Sequence, residues 1–156
     1  MKKSLPQAND LDKVIDVMTY IHYHPGCSEG EIADFIGFAV RQARYYVDAC
    51  RYLDLVEKNR YPSAVCEDIF RKDPHSVIER VYERIITDEL MGQVFARAYV
   101  LPDSDIEHFS QELVSYYHPE IASSSTFKRR AHIIVLWCKR IINSTNLKHK
   151  RYGNLK

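Results

Sequence analysis

No stretch of this 156-residue chain approaches the roughly 20 consecutive apolar residues of a membrane-spanning helix, and no apolar run follows Met1. Neither a membrane span nor a secretory leader is expected, so the cytoplasm is the expected compartment. The four cysteines, Cys27, Cys50, Cys66 and Cys138, form no CxxC pair, and free thiols are their simplest reading in a reducing compartment. Net charge is almost absent: 22 basic against 21 acidic side chains leave +1. That excludes a strongly cationic nucleic-acid binder on total charge and leaves room only for local patches.

What is present suffices for a folded core. The chain is 46% hydrophobic and 28% charged, and its length suits one ordinary domain or two small ones. Eleven tyrosines is a high count for this size. Tyrosine joins a large apolar body to a polar tip, which serves cores, interfaces and phosphate contacts alike.

Residues 1–10 are polar around Pro6 and are expected to form a flexible lead. From Leu11, Val14, Ile15, Met18 and Ile21 recur at helical spacing until Pro25-Gly26. Ser28 and Glu31 have the spacing of a capping box, and Ile32, Phe35 and Ile36 give the second helix a buried face that ends at Gly37. A third helix is expected over Ala39 to Leu53. Stepping it at 100° gathers Val40, Ala43, Val47 and Cys50 on one face. Arg41, Gln42, Tyr45, Asp48 and Tyr52 fall opposite, with Arg44 and Arg51 on the flank. The basic and amide groups at the front of this helix therefore point outward, where a recognition helix needs them.

Leu55-Val56-Glu57 reads as a short strand, Lys58-Asn59-Arg60 as a turn, and Tyr61 as the start of a return strand. Such a hairpin would be a wing with a basic tip, suited to phosphate contact through Lys58 and Arg60. Ser63 is expected to cap a short helix.

Asp73-Pro74 marks the expected module boundary. Beyond it lie helical segments from Val77 to Ile86, from Glu89 to about Tyr99, from Pro102 to Tyr117, and from Ser124 or Ser125 to about Ile142. Phe127, Ala131, Ile134, Val135, Cys138 and Ile141 form the inward stripe of the last one. Lys128, Arg129 and His132 lie off that stripe and make a second candidate DNA site; Arg130 could pair with Glu112. The organisation expected is thus a lead at 1–10, a first module at 11–72, a second at 73–143 and a basic tail at 144–156. From Lys139 onward the chain holds no acidic residue, while Lys148, Lys150, Arg151 and Lys156 add to its basic character.

The stretch EIADFIGFAVRQARYYVDACRYLDLVE, with Arg41, Gln42, Tyr45 and Tyr46, resembles the winged-helix modules attached to some bacterial restriction endonucleases and related defence proteins. Ser125, Thr126, Arg129, Arg130, Ala131 and Trp137 resemble the companion module of that family. Ala39 departs from the family's capping Ser or Thr, and Pro62-Ser63-Ala64 replaces its usual Leu-Thr. The resemblance implies a mainly α, tandem winged helix-turn-helix protein with a small β-hairpin wing in its first module. Duplex DNA would be its partner, in transcription regulation or restriction-modification. A nuclease or methyltransferase subunit is a further candidate partner, and a homodimer is admissible. No Asp followed by Glu-x-Lys occurs, so a metal-dependent nuclease centre is not expected.

Two other chemistries have little to stand on. His22, His24 and Cys27 have irregular spacing for zinc and would need Cys66 or a distant residue as fourth ligand. His75, His108 and His118 have no nucleophile arranged beside them. No cofactor, metal or enzyme activity is expected. The competing function is a protein-interaction module without direct DNA binding, favoured by the balanced charge, the tyrosines and the acidic segment from Asp103 to Glu112.

Overall fold

Local capping chemistry sets where the helices begin. Asp10 accepts from the Lys13 amide at 3.3 Å and opens α1, Leu11–Tyr23. Ser28 accepts from the Glu31 amide at 3.1 Å and opens α2, Glu29–Ile36. Each such cap stabilises its helix by about 1 kcal/mol. Gly37 closes α2 in the left-handed conformation, φ 74°, where a Cβ would be unfavourable. The chain then enters α3, Val40–Tyr52. A 3₁₀ turn at Lys58–Arg60, α4 at Ala64–Lys72, a second 3₁₀ turn at Pro74–Ser76 and α5 at Val77–Ile86 follow. The remaining helices are α6, Glu89–Ala98, α7, Asp103–Tyr117, and α8, Ser124–Gly153.

This computed structural model describes residues 3–98, 100 and 103–153, with side chains described over 3–98, 100 and 105–144. Tyr99 and Pro102, and the side chains of Lys148, Lys150, Arg151 and Lys156, lie outside the described residues. The chain divides into two compact units, Met1–Ile85 and Ile86–Lys156. Among the described residues no helix is long and apolar enough to cross a membrane.

In the first unit α1, α2 and α3 pack on one another and α4 packs on α1. Val14, Val17, Met18 and Ile21 of α1, Ile32 of α2, and Ala43, Val47 and Cys50 of α3 are buried. The lead also contributes, since Leu5 and Ala8 are buried. Lys3 reaches Asp54 at 2.6 Å, and the buried Tyr46 hydroxyl donates to Asn9 at 3.2 Å. Arg84 of α5 donates to the Leu53 carbonyl at 2.7 Å, which ties α5 to the end of α3. Two expected core positions are instead on the surface: Phe35 is 53% exposed and Val40 41%.

In the second unit α6, α7 and α8 pack together. Leu90, Met91 and Val94, Ile106 and Val114, and Ala131, Ile134, Val135, Trp137, Cys138 and Ile141 are buried. The buried Ser110 hydroxyl donates to the Ala131 carbonyl at 2.8 Å, so a polar group on α7 is satisfied within the helix pair. Ser123, not Ser124 or Ser125, accepts at the start of α8, from the Thr126 amide at 3.4 Å.

The expected tandem winged helix-turn-helix fold is corrected here. The architecture is mainly α, but the wing is absent: among the described residues no strand forms, and residues 56 and 62 make a single isolated antiparallel bridge. The turn itself suits a hairpin, and the pairing ends on its return side. Asn59 and Arg60 both adopt positive φ, 59° and 61°, and reverse the chain in one tight turn. Glu57 donates to the Tyr61 carbonyl at 2.7 Å and Ser63 to the Leu55 carbonyl at 3.0 Å. Between those rungs Pro62 has no N–H to offer, and Ser63 immediately caps α4.

Candidate nucleic-acid interface

The outer face of α3 forms at the end of a two-helix unit. Gly37 turns the chain so that α3 starts within a few residues of α2, and α2 packs directly on α3. Ala39 occupies the N-cap and has no oxygen to offer. Gln42 compensates in part: its Oε1 accepts from the Ala39 amide at 3.4 Å, which is the reverse half of a capping box. The side chain is therefore engaged at its carbonyl oxygen, and bidentate pairing to adenine would require that bond to open.

Arg41, Gln42 and Arg44 are exposed and Tyr45 is half-buried. Arg41 donates through Nε to the Tyr45 hydroxyl at 3.1 Å, one helical turn on. The bond fixes the arginine against the tyrosine and leaves the terminal amino groups outside it. Arg44 donates through Nε to Glu29, the first residue of α2.

The turn at Lys58–Arg60 belongs to the same surface. Arg60 donates through Nε to the Cys27 carbonyl, and its Nη1 lies 3.9 Å from Glu29 Oε1. The Gly26 amide in turn donates to the Arg60 carbonyl at 2.9 Å. Arg44 and Arg60, distant in sequence, thus converge on one carboxylate. Lys58 is exposed and takes no part in that convergence. Glu29 was not visible as a functional residue in the sequence, because an acidic side chain in the first turn of a helix is ordinary favourable placement against the helix dipole.

Lys128, Arg129 and His132 lie on α8 in the second unit, all exposed. His132 Nδ1 pairs with Glu107 of α7 at 2.5 Å. Glu112, the expected partner of Arg130, pairs with His108 at 2.8 Å.

An aromatic stack borders α2. Tyr20 is stacked between His24, with ring centroids 4.2 Å apart, and the exposed Phe35, at 4.7 Å. Tyr23 and Val40 add further exposed apolar surface in this unit.

One group of possible metal ligands forms among the described residues, and it differs from the histidine pair of the sequence pattern. His22, Cys66 and Glu67 bring donor atoms within 4.8 Å of one another. Neither His24 nor Cys27 belongs to that group; His24 Nδ1 lies 3.0 Å from the Tyr20 carbonyl. Three donors fall short of a closed structural zinc site. His22 already pairs with Glu67 at 2.7 Å and stacks on Phe70 at 3.9 Å. Burial, with Glu67 adding to it, pushes the Cys66 thiol up to about 12. The geometry reads as a His–Glu contact packed beside a buried thiol. Burial likewise raises Cys27, with Glu31 reinforcing it and Arg60 opposing it.

A family model described as "Domain of unknown function (DUF7226)" matches residues 13–146. No curated protein and no solved structure matches the chain.

Proposed function

The chain belongs to the DUF7226 family, and from that premise, which carries no assigned activity, we propose that it binds duplex DNA through the outer face of α3. The observation that supports this most is the convergence of Arg44 of α3 and Arg60 of the turn at 58–60 on one carboxylate, with the exposed Arg41 three residues before Arg44 on α3. A protein with a net charge of only +1 needs such a local concentration to hold a polyanion.

In this reading the first turns of α3 enter the major groove. Arg41 reads guanine edges, with Gln42 beside it once its capping bond opens. Arg44, Tyr45, Lys58 and Arg60 take backbone phosphates, which fix position without reading sequence. Lys128, Arg129 and His132 supply a second, weaker phosphate site from α8. The role we assign is transcriptional control, or recognition within a restriction or defence system whose nuclease or methyltransferase supplies the chemistry, in the cytoplasm. The likeness of the α3 stretch to such recognition modules supports that role.

The test is binding of the pure protein to random duplex by fluorescence anisotropy, alongside Arg41→Ala/Arg44→Ala. Tight binding by the native protein and its loss in the double variant are expected. Equal binding by both removes α3 from the interface.

The exposed apolar side chains of Tyr23, Phe35 and Val40 favour a second reading, a protein-interaction module without direct DNA contact. It predicts no salt-dependent duplex binding, with Phe35→Ser and Tyr23→Ser abolishing capture of a protein partner instead.

A further inference from the structure

We infer that Glu29, Arg44 and Arg60 form an oxyanion seat in which the Glu29 carboxylate occupies the place of a DNA backbone phosphate, so that carboxylate and phosphodiester compete for the same two guanidinium groups. The inference rests on the DNA-binding reading of α3 and concerns how that same surface is regulated.

Three features carry it. First, the two oxygens of one carboxylate face different arginines. Arg44 Nε bonds Oε2, and Arg60 Nη1 lies 3.9 Å from Oε1. Carboxylate and phosphodiester oxygens accept the same charge-assisted bonds from guanidinium. Second, two cations against one anion leave the cluster one negative charge short of neutral. It is half-neutralised by the protein itself and still attracts a phosphate. Third, Arg60 is placed by the backbone and not by Glu29. It sits in the left-handed region at φ 61°, its Nε is held by the Cys27 carbonyl, and its own carbonyl accepts from Gly26 at 2.9 Å. A seat preformed in this way stays in position when its first occupant leaves. Access is open as well, since the Arg44 side chain is 62% exposed while Glu29 is 29% exposed.

The consequence for binding has a definite sign. A phosphate that enters the seat displaces a carboxylate, which then stands unpaired beside it. Glu29 therefore lowers affinity for every duplex alike and makes occupation of the seat conditional on the rest of the interface engaging. It also blunts the salt dependence, because the freed carboxylate takes up a cation as DNA sheds one. Removing its charge should steepen the slope of log K against log salt by about one, the yield of one phosphate contact.

The experiment compares the full chain, Glu29→Gln, Arg44→Ala and Glu29→Gln/Arg44→Ala on one random duplex across a salt series. Thermal melts confirm that each variant is folded, and Glu29→Ala serves as a second variant should the glutamine hold the arginines by hydrogen bonding. The expected result is about tenfold tighter binding by Glu29→Gln at low salt, a slope steeper by about one, and loss of that gain in the double variant. If Glu29→Gln and Glu29→Ala bind no more tightly than the native protein while Arg44→Ala weakens binding, the seat is overturned and the DNA-binding reading stands. If none of the proteins binds duplex in a salt-dependent way, both fall together.

Discussion

Ser63→Ala tests whether the turn that carries Lys58 and Arg60 is held as described. Ser63 is 9% exposed and uses its hydroxyl twice. It accepts from the Cys66 amide at 3.1 Å, which caps α4, and donates to the Asp54 carbonyl at 2.6 Å, which fastens the end of α3. Its own amide donates to Leu55, so one residue closes the loop at both ends. Loss of an N-cap costs about 1 kcal/mol. The second bond adds about 1 kcal/mol, toward the low end because Asp54 is exposed and water can reach it. The sum of about 2 kcal/mol is about 30-fold in the folding equilibrium. For a unit of this size it corresponds to a fall of about 10 °C in Tm. Urea unfolding followed by far-UV circular dichroism measures the loss, and amide exchange at Cys66 should accelerate in parallel. Ser63→Thr keeps the hydroxyl and should cost about 0.5 kcal/mol or less. A loss below about 0.5 kcal/mol for alanine, or equal losses for alanine and threonine, would refute the double role.

Gly92 lies within α6, where alanine ordinarily stabilises by about 1 kcal/mol, yet a Cβ there would press on the Ile86 carbonyl oxygen. Gly92→Ala should therefore destabilise by about 2 kcal/mol or more in a denaturant titration, and a gain in stability would contradict the packing of that turn. All four cysteines are buried and free, and burial holds the Cys138 thiol at about 12. A thiol reagent such as DTNB should label the native protein negligibly and label four sites in denaturant; fast native labelling of any of them would count against its burial. Asp16 is raised from 3.8 by partial desolvation and then by Asp12 and Asp10, with Lys13 opposing. A raised folded-state pKa favours folding below the unfolded value and is unfavourable once the group ionises. Asp16→Asn should thus raise Tm at pH 7, with the gain vanishing as pH falls below 3.8, and a lower Tm at pH 7 would reverse the sign.

The parts of the fold set by local chemistry were legible in the sequence. Ser28 and Gly37 bracket α2 because a side-chain oxygen and a left-handed φ are requirements of one residue each. The outward set on α3 followed from 100° periodicity. Periodicity failed at helix ends, where Phe35, although stacked on Tyr20, and Val40 sit on the expected side of a helix and stay exposed. The hairpin expectation rests on two short segments flanking the polar turn 58–60, a pattern that looks alike whether or not a ladder forms. Pro62, without a donor, and Ser63, already committed to capping α4, stop the pairing after a single bridge. The buried Leu5 and Ala8 were hidden in a polar lead, since what fastens them comes from far along the chain, at Asp54 and Tyr46. Glu29 was hidden for the same reason. Its partners Arg44 and Arg60 meet it only once α2, α3 and the turn are folded together.

Duplex binding as a function of salt, for the native chain and Arg41→Ala/Arg44→Ala, bears most directly on the assignment of α3. A slope of about −0.9 in log K against log salt is expected for each phosphate neutralised, and the native protein should show several such contacts. The double variant should bind far more weakly at every salt concentration. Salt-independent binding by the native chain, or indistinguishable slopes and affinities for the two proteins, would contradict DNA recognition by this helix.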